Sequence, residues 1–591
     1  MIKMGITIPH VNTIKRIEEL KKLKQKLSNC PIVVLDFETS DGNFLTADIC
    51  GVGIALSSQE SYYIPTTEIP VQAIKQELGP ILKLKRLAGH NVIYDLIIGK
   101  RFGFDLNYYY DTKMMYHMLF PDERETRLRH IVKRYLPEYK LILLEDLIGS
   151  GRKKISVADV PIEQLAEYSC RETAAIMRCV EILKNELQAQ HIWQSYIQLH
   201  QPLFSILADM TLIGIKLDLS RLKKLTEEYR QKLEQEKQII FKLAKKKFNI
   251  NSPKQLIPIL QERGITIRRQ TEKGQFSVNE DSLKEIYAET KDALCKHLLE
   301  YRKSMKILST YLEPFAIQID DNHRLHGSFQ LTVTATGRLA SANPNLQNIP
   351  PEIREIFIAD TGKMFIIADY SQIELRVLAY LSKDKNMIKA FLNGEDIHAK
   401  TAAIFGKKYD KATARLKAKI VNFSLIYGAS VKRIAKELEV SEDEAKTFMN
   451  NFYRLYPATK IYQRNLISLA ANVGYVATIG GWRRTLPGIK SKNLREKKVA
   501  ERMALNTPIQ GSASDIIKAA MIDLVKELAK NKLSGKLLLQ VHDELVLEVP
   551  KEEVYQTKKI VEKSMLRNGF FPAIEFLLKV NINVNKRWIK S

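Results

Sequence analysis

Cysteine is scarce in this chain. Five occur in 591 residues, at Cys30, Cys50, Cys170, Cys179 and Cys295, with no CxxC pair among them. An odd, scattered set argues against a disulfide scaffold or a thiolate zinc site, and fits reduced thiols in an intracellular protein. Long apolar runs are missing too: none approaches the ~18 residues that a membrane-spanning helix needs. The amino terminus, MIKMGITIPH, has no apolar signal-peptide core, and the Lys/Glu-rich pattern after it is unlike an Arg/Ser-rich, acid-poor transit peptide. Internal repeats and low-complexity tracts are absent. Acids are in the minority, 67 Asp and Glu against 92 Lys and Arg, which leaves a net charge of +25. On a chain without a membrane span, such an excess points to a polyanionic partner.

What is present is enough for a large core, 45% hydrophobic residues, and the length suits roughly four domain-sized units. From about residue 30 to 185, short apolar strands (Ile32–Leu35, Gly51–Leu56) alternate with helical patterns, as in an α/β domain. From Leu222 the pattern changes. Leu222, Leu225, Tyr229, Leu233, Ile240 and Leu243 mark one face of a long helix rich in Lys and Glu. The stretch Leu331–Pro350, rich in Thr, Asn and Pro, reads as turns and loops, and strand and helix patterns then alternate to the end.

Three stretches carry candidate chemistry. In KLLLQVHDELVLEV (Lys536–Val549), two strand-like apolar runs flank His542, Asp543 and Glu544. A carboxylate at the end of a buried sheet is costly without a partner, so these acids either sit in water at a hairpin tip or hold something positive. In KMFIIADYSQIELRVLAYLS, from Lys363, the run Phe365–Ala368 is a buried strand, and Ile373, Val377 and Leu381 recur at helical spacing. Asp369 therefore sits at a strand-to-helix switch, as a helix N-cap or as a functional group. In RLKAKIVNFSLIYG, Arg415, Lys419, Phe423 and Tyr427 are each four apart and share one helix stripe. Cations followed by aromatics suit a nucleoside triphosphate, phosphates to the cations and base to the rings; an ordinary amphipathic helix has the same pattern.

Taken together, DYSQIELR (Asp369–Arg376), the Arg415–Gly428 stretch and VHDEL (Val541–Leu545) resemble, in order, the three polymerase motifs of the family A DNA polymerases. NSPKQL (Asn251–Leu256), TATGRLASANPNLQNIP (Thr334–Pro350), DIH (Asp396–His398) and AERMALNTPIQGSASDIIK (Ala500–Lys518) match as well. The resemblance covers nearly the whole chain. It implies a multidomain fold: an α/β ribonuclease H-like exonuclease domain over 1–190, then an α+β right-hand polymerase over 191–591. In the latter a helical thumb spans about 200–325, an antiparallel-sheet palm about 326–385 and 505–591, and helical fingers about 386–504. With no 5′-nuclease domain expected ahead of it, the architecture resembles the large-fragment form.

The resemblance also implies residue roles. Asp369 and Asp543, with the backbone carbonyl of Tyr370, would hold two Mg²⁺ ions, hard cations that favour oxygen ligands, with Glu544 nearby. Arg415, Lys419 and His398 would face the incoming triphosphate, with Lys419 also a candidate acid toward pyrophosphate. Phe423 would stack on the nucleotide and Tyr427 would sit at the templating position. Tyr370 and Gln372 belong to the same nucleotide pocket, and Glu374 would exclude a ribose 2′-hydroxyl. Arg338, Asn345, Gln347, Asn348, Asn506, Gln510 and His542 would contact primer–template DNA, where minor-groove acceptors recur at similar places on every base pair. Asn251 and Lys254 would add contacts from the thumb. Two departures stand out: Ser424 where a Gly is usual, and PPEIREIF in place of a longer Gly/Arg-rich insert.

The N-terminal region carries a second constellation. PIVVLDFETS puts Asp36 and Glu38 on one strand face, GHNVIYD offers Asn91 and Asp95, and YSCRET offers Tyr168 and Glu172, four apart on a helix. These resemble the three motifs of 3′–5′ proofreading exonucleases, whose four acids bind two Mg²⁺, Mn²⁺ or Zn²⁺ ions and whose Tyr orients the attacking water. The fourth acid there is normally Asp; here Glu172 is one methylene longer, which suits either an active site or a remnant that only supports the polymerase. The expected partners are primer–template DNA and dNTPs, with no membrane, a monomeric state and a cytoplasmic, nucleoid-associated location. The competing readings are a single-subunit RNA polymerase, against which Glu374 argues, a nuclease whose C-terminal part only holds DNA, and a non-enzymatic basic DNA-binding protein.

Overall fold

The computed structural model describes residues 8–151, 154–271, 273–406 and 408–589. The chain divides into two compact units. One takes in the chain to Leu212 with Ser328–Gln347 and Ile366–Asn583; the other comprises Ile213–Gly327, Asn348–Phe365 and the residues from Val584.

The first unit contains a six-stranded mixed sheet built from His10–Thr13, Ile32–Thr39, Ile49–Ala55, Glu60–Pro65, Arg86–Gly89 and Tyr108–Asp111. Ile32–Thr39 lies inside this sheet, antiparallel to Ile49–Ala55 and parallel to Arg86–Gly89. Buried on both sides, it reads as the continuous apolar run Val33, Val34, Leu35 expected of such a strand. Pairing sets Gly53 opposite Asp36 and Gly51 opposite Glu38. The two glycines make room. A Cβ on Gly53 would stand 2.3 Å from Ser169 Oγ, and one on Gly51 would stand 2.0 Å from the Tyr63 hydroxyl. The long helix Ile162–Ala189, which carries Ser169, can therefore lie close against the strand face that bears both acids.

A second, four-stranded sheet has the spatial order Lys536–Val541, Glu544–Pro550, Lys363–Tyr370, Val580–Asn585. Its first two strands are the antiparallel hairpin anticipated from the apolar runs, paired from Lys536↔Glu548 to Val541↔Glu544. The two-residue turn is made by His542 and Asp543, with His542 in the left-handed region at φ 55°. Lys363–Tyr370 is a strand to its end, with Phe365–Ala368 buried. Asp369 is thus a strand residue and not a helix N-cap. The helix Ile373–Ser382 begins after Gln372, which occupies the cap position at φ 55°. Within the Leu331–Pro350 stretch, read as loops, Ala340–Ala342 pairs antiparallel with Ser328–Gln330. Three residues are too few to show a strand period.

Helices complete this unit. Lys411–Ile426 carries the Arg415–Lys419–Phe423 stripe, with Tyr427 at its C-cap, and is followed by Val431–Leu438. The 37-residue helix Leu494–Lys530 carries Asn506 and Gln510. A small hairpin, Tyr475–Ala477 with Arg483–Thr485, precedes it. Arg484, only 7% exposed, donates from Nε and Nη2 to Asp122 at 3.0 and 2.5 Å and from Nη1 to Thr507 Oγ1 at 3.1 Å.

The second unit is built around Leu219–Ala244, the helix expected from Leu222 onward, and Ala293–Ile307. Leu256, Ile259, Leu260, Leu294 and Leu298 form its core with Ile240. Asp218 caps the first helix by accepting from Arg221 N–H at 3.0 Å and pairs with Arg587 at 2.7 Å. Among the described residues, no helix is long and apolar enough to cross a membrane.

Candidate active sites

The C-terminal site begins with one backbone contact. Tyr370 N–H donates to the carbonyl oxygen of Asp543 at 3.0 Å. Strand end and hairpin turn are thereby zipped together, and Asp369 and Asp543, 174 positions apart in sequence, become neighbours. The Tyr370 side chain is buried and its hydroxyl donates to Met565 O at 2.6 Å. Burial, then the charge of Asp543, raises its phenol above the ordinary range. Glu544 is buried beneath the turn, whereas Asp543 and Asp369 keep partial access to water. Two carboxylates and a peptide carbonyl at one strand end are hard oxygen donors, the set a divalent cation of the magnesium kind prefers.

The helix Lys411–Ile426 and its successor line a groove of about 440 Å³, with Lys419, Phe423, Tyr427 and Arg433 on its walls. The Phe423 and Tyr427 rings stack at 6.5 Å and His398 lies 5.8 Å from Phe423. Asn422 Nδ2 donates to His398 Nδ1 at 2.8 Å; burial holds this imidazole down at about 4, so it is neutral near pH 7. Asp396 gathers three polar groups, His398 among them. It accepts from Gln372 Nε2 at 3.0 Å, from Arg415 Nε at 2.6 Å and from His398 N–H at 2.9 Å. It lies in the DIH motif, but nothing in its local sequence distinguishes it from an ordinary N-cap, which it also is.

Glu374 is 5% exposed and held at both oxygens, by Arg338 on one and the Tyr427 hydroxyl on the other. Burial, then this carboxylate's charge, raises the Tyr427 phenol. Ser424, the departure from Gly, donates from Oγ to Glu437 at 2.6 Å, and Arg433 pairs with the other Glu437 oxygen at 2.7 Å. The substitution ties the Lys411–Ile426 helix to its successor. Gln347 Nε2 reaches Gln540 Oε1 at 2.9 Å, and the Gln540 amide in turn donates to His542 O. Gln540 carries no signal of its own in the sequence, because an inward Gln in a strand looks like any other alternating residue. Asn345 accepts from Gln347 N–H at 3.0 Å, and Asn506 Oδ1 is buried with no hydrogen-bond partner among the described residues. Asn348, Asn251 and Lys254 belong to the second unit: Asn348 O accepts from Tyr311 at 2.9 Å, Asn251 N–H donates to Asn249 Oδ1 at 3.0 Å, and Lys254 is exposed in the first turn of Pro253–Glu262.

The N-terminal site gathers the predicted acids. Ligand oxygens of Asp36, Glu38 and Glu172 lie within 4.8 Å of one another. Asp95 stands just outside this trio and accepts from Phe37 N–H, between the two strand acids, at 3.0 Å. Tyr168, one turn before Glu172, interacts with it and tempers the rise in its value. Burial raises all the cluster's acids: Asp36 to about 6 against a lowering hydrogen bond with Glu38, and, with repulsion from Asp36 added, Glu172 to about 8 and Glu38 and Asp95 well above the carboxylate range. Clustered carboxylates that repel one another in this way fit divalent ions. The extra methylene of Glu172 has not withdrawn its carboxylate.

A pH dependence follows. Folded-state values above the ordinary ones mean that the native state binds more protons than the unfolded chain between roughly pH 4.5 and 8, so the cluster's contribution to stability falls as pH rises through that window. In a chelator, calorimetric unfolding should show a larger loss between pH 5.5 and 8.5 for wild type than for Glu172→Gln, and added Mn²⁺ should remove the difference. Equal slopes in the two proteins would refute the assignment.

Comparison with known proteins agrees with this layout. The 3′-5′ exonuclease profile matches residues 11–188 and the profile of DNA polymerase family A matches residues 219–590. An exonuclease domain is thus followed by a polymerase domain. The chain is 34% identical over 605 aligned residues to DNA polymerase I of Chloroflexus aurantiacus, covering 98% of this chain and 63% of that protein. It is 40% identical over 458 residues to DNA polymerase I of Bacillus caldotenax, covering 75% of this chain and 51% of the relative. Among solved structures, the POL domain of Pol1 from M. smegmatis, in complex with DNA primer-template and dNTP, superposes with a TM-score of 0.87 at 27% identity, covering 98% of this chain and 99% of that one. The chain spans between half and two thirds of the length of the curated relatives it matches. It belongs to DNA polymerase family A. Proteins with these two domains use divalent metal ions.

Proposed function

We propose that this chain is a DNA-templated DNA polymerase that extends a primer 3′ end with dNTPs, and that its N-terminal domain removes nucleotides from the same end. The observation that carries the reading is the 3.0 Å bond from Tyr370 N–H to Asp543 O, which sets the two aspartates side by side at the end of one sheet. In this reading the thumb lies at about 200–325, the palm at about 326–385 and 505–591, and the fingers at about 386–504. Asp369, Asp543 and the Tyr370 carbonyl hold Mg²⁺, with Glu544 supporting the turn from below. Two such ions, when bound, activate the primer hydroxyl and neutralise the departing pyrophosphate.

The chain's own groups do the rest. Arg415, now resting on Asp396, and Lys419 turn to the triphosphate, and His398, neutral, contributes a hydrogen bond and not a charge. Phe423 stacks on the base. Glu374, pinned by Arg338 and Tyr427, fills the space a ribose 2′-hydroxyl would need. Arg338, Asn345, Gln347, Asn348, Asn506, Gln510 and His542 face the primer–template, Asn251 and Lys254 add contacts from the thumb, and the +25 charge supplies salt-dependent affinity. At the N-terminal site, Asp36, Glu38, Asp95 and Glu172 hold two Mg²⁺, Mn²⁺ or Zn²⁺ ions, and Tyr168 orients the attacking water.

The test is extension of a primed template with Mg²⁺, with dNTPs or NTPs, beside degradation of a mismatched 3′ end. Extension with dNTPs and not with NTPs is expected. A wild-type protein that extends nothing overturns the reading.

A further inference from the structure

A buried histidine of the exonuclease domain touches the polymerase half. His117, on the helix Thr112–Leu119, is 1% exposed, and its Nε2 lies 3.2 Å from the carbonyl oxygen of Thr334. Its Nδ1 is buried with no hydrogen-bond partner among the described residues. The ring is held neutral, its value pushed down to about 4 by burial. A neutral ring carries one proton, and among the described residues only Nε2 has an acceptor to give it to. Thr334 O also accepts from Gly337 N–H at 3.1 Å, and Thr334 Oγ1 donates to Arg338 O at 2.7 Å. Thr334–Arg338 is therefore a closed turn whose anchor carbonyl is shared with His117.

The turn leaves no slack. Gly337 has φ +74°, and a Cβ on it would stand 2.1 Å from the Trp482 ring. That ring is packed edge-on by His117 at 5.6 Å and lies under Lys518 Nζ at 5.2 Å. What emerges from the turn is Arg338, whose guanidinium grips Glu374.

We propose that His117 is a positioning residue for the polymerase site, fixing the Thr334–Arg338 turn through its Nε2–H so that Arg338 is aimed at Glu374 and the primer terminus. The inference rests on the polymerase reading given above. A turn displaced by a fraction of an ångström would tilt Arg338 away from a site that judges base-pair geometry, with little change in nucleotide affinity.

Three variants separate the hydrogen bond from the ring that makes it. His117→Phe keeps the ring and its contact with Trp482 but has no donor. His117→Gln lacks the ring but places an amide N–H near the Nε2 position. His117→Ala has neither. Single-nucleotide extension from matched and mismatched primers should show kcat lower by on the order of tenfold for Phe and Ala, with the dNTP KM unchanged. Their preference for the matched primer should fall by a similar factor, while Gln stays within about threefold of wild type by the same measure of misplacement. A Phe variant as fast and as selective as wild type overturns the proposal, and so does a Gln variant as slow as Ala. If the Phe variant melts early, the Gln result alone decides. Wild type is measured alongside: its failure to extend would sink the polymerase reading, whereas normal extension with an indifferent Phe variant would sink only this one.

Discussion

Asp543→Asn should abolish primer extension, lowering kcat by on the order of 10³-fold or more, while leaving melting and 3′-end degradation as they are. The substitution is nearly isosteric and Asn is well suited to a hairpin turn. The contact that joins hairpin to strand uses the backbone carbonyl of residue 543 and not its side chain, so the geometry persists. The negative charge is removed. If activity depends on holding cations at the strand end, half of the carboxylate pair that does so is gone. Extension by the variant within about tenfold of wild type would remove Asp543 from the reaction. It would then favour the alternative in which the C-terminal part only holds DNA.

Asp36→Ala should have the mirror effect, lowering removal of a mismatched 3′ nucleotide by on the order of 10³-fold with extension untouched. Asp36 is one of the three acids whose oxygens converge within 4.8 Å and the neighbour whose charge most strongly affects Glu172 after burial. A companion variant, Glu172→Asp, tests the departure from the usual acid. Because the Glu172 carboxylate already lies in the cluster, shortening it by one methylene pulls it back by about 1 Å and should cost activity, up to ~10²-fold. A gain in mismatch removal would mean instead that the longer side chain had weakened the site.

Much of this was legible in the sequence because it is local. The hairpin at Lys536–Pro550 announces itself through two apolar runs of strand length, and the Arg415–Lys419–Phe423 stripe through a spacing of four. Asp36 and Glu38, two apart, needed only the strand period to share a face. Asp369 was ambiguous: an acid before a helical pattern is the usual N-cap signal. The ambiguity resolves because the strand continues through Tyr370 and Gln372 adopts the left-handed cap conformation itself. What could not be read was long-range pairing. Arg338 with Glu374, Ser424 with Glu437 and Arg484 with Asp122 join residues far apart in the chain or on successive helices, and nothing in their local sequence names the partner. His117 looks like one more helical residue until the fold brings Thr334, 217 positions away, to its Nε2.

The Arg484–Asp122 clasp bears on how this protein can be taken apart. One partner comes from the stretch matched by the exonuclease profile and the other from the stretch matched by the polymerase profile. A fragment begun near residue 190 would keep a sequestered guanidinium and lose its counter-ion, and it would bare the side of Trp482 that His117 covers. Swapping either half for that of a relative raises the same difficulty unless the clasp residues travel as a set. Two activities that look modular on paper share one set of fasteners.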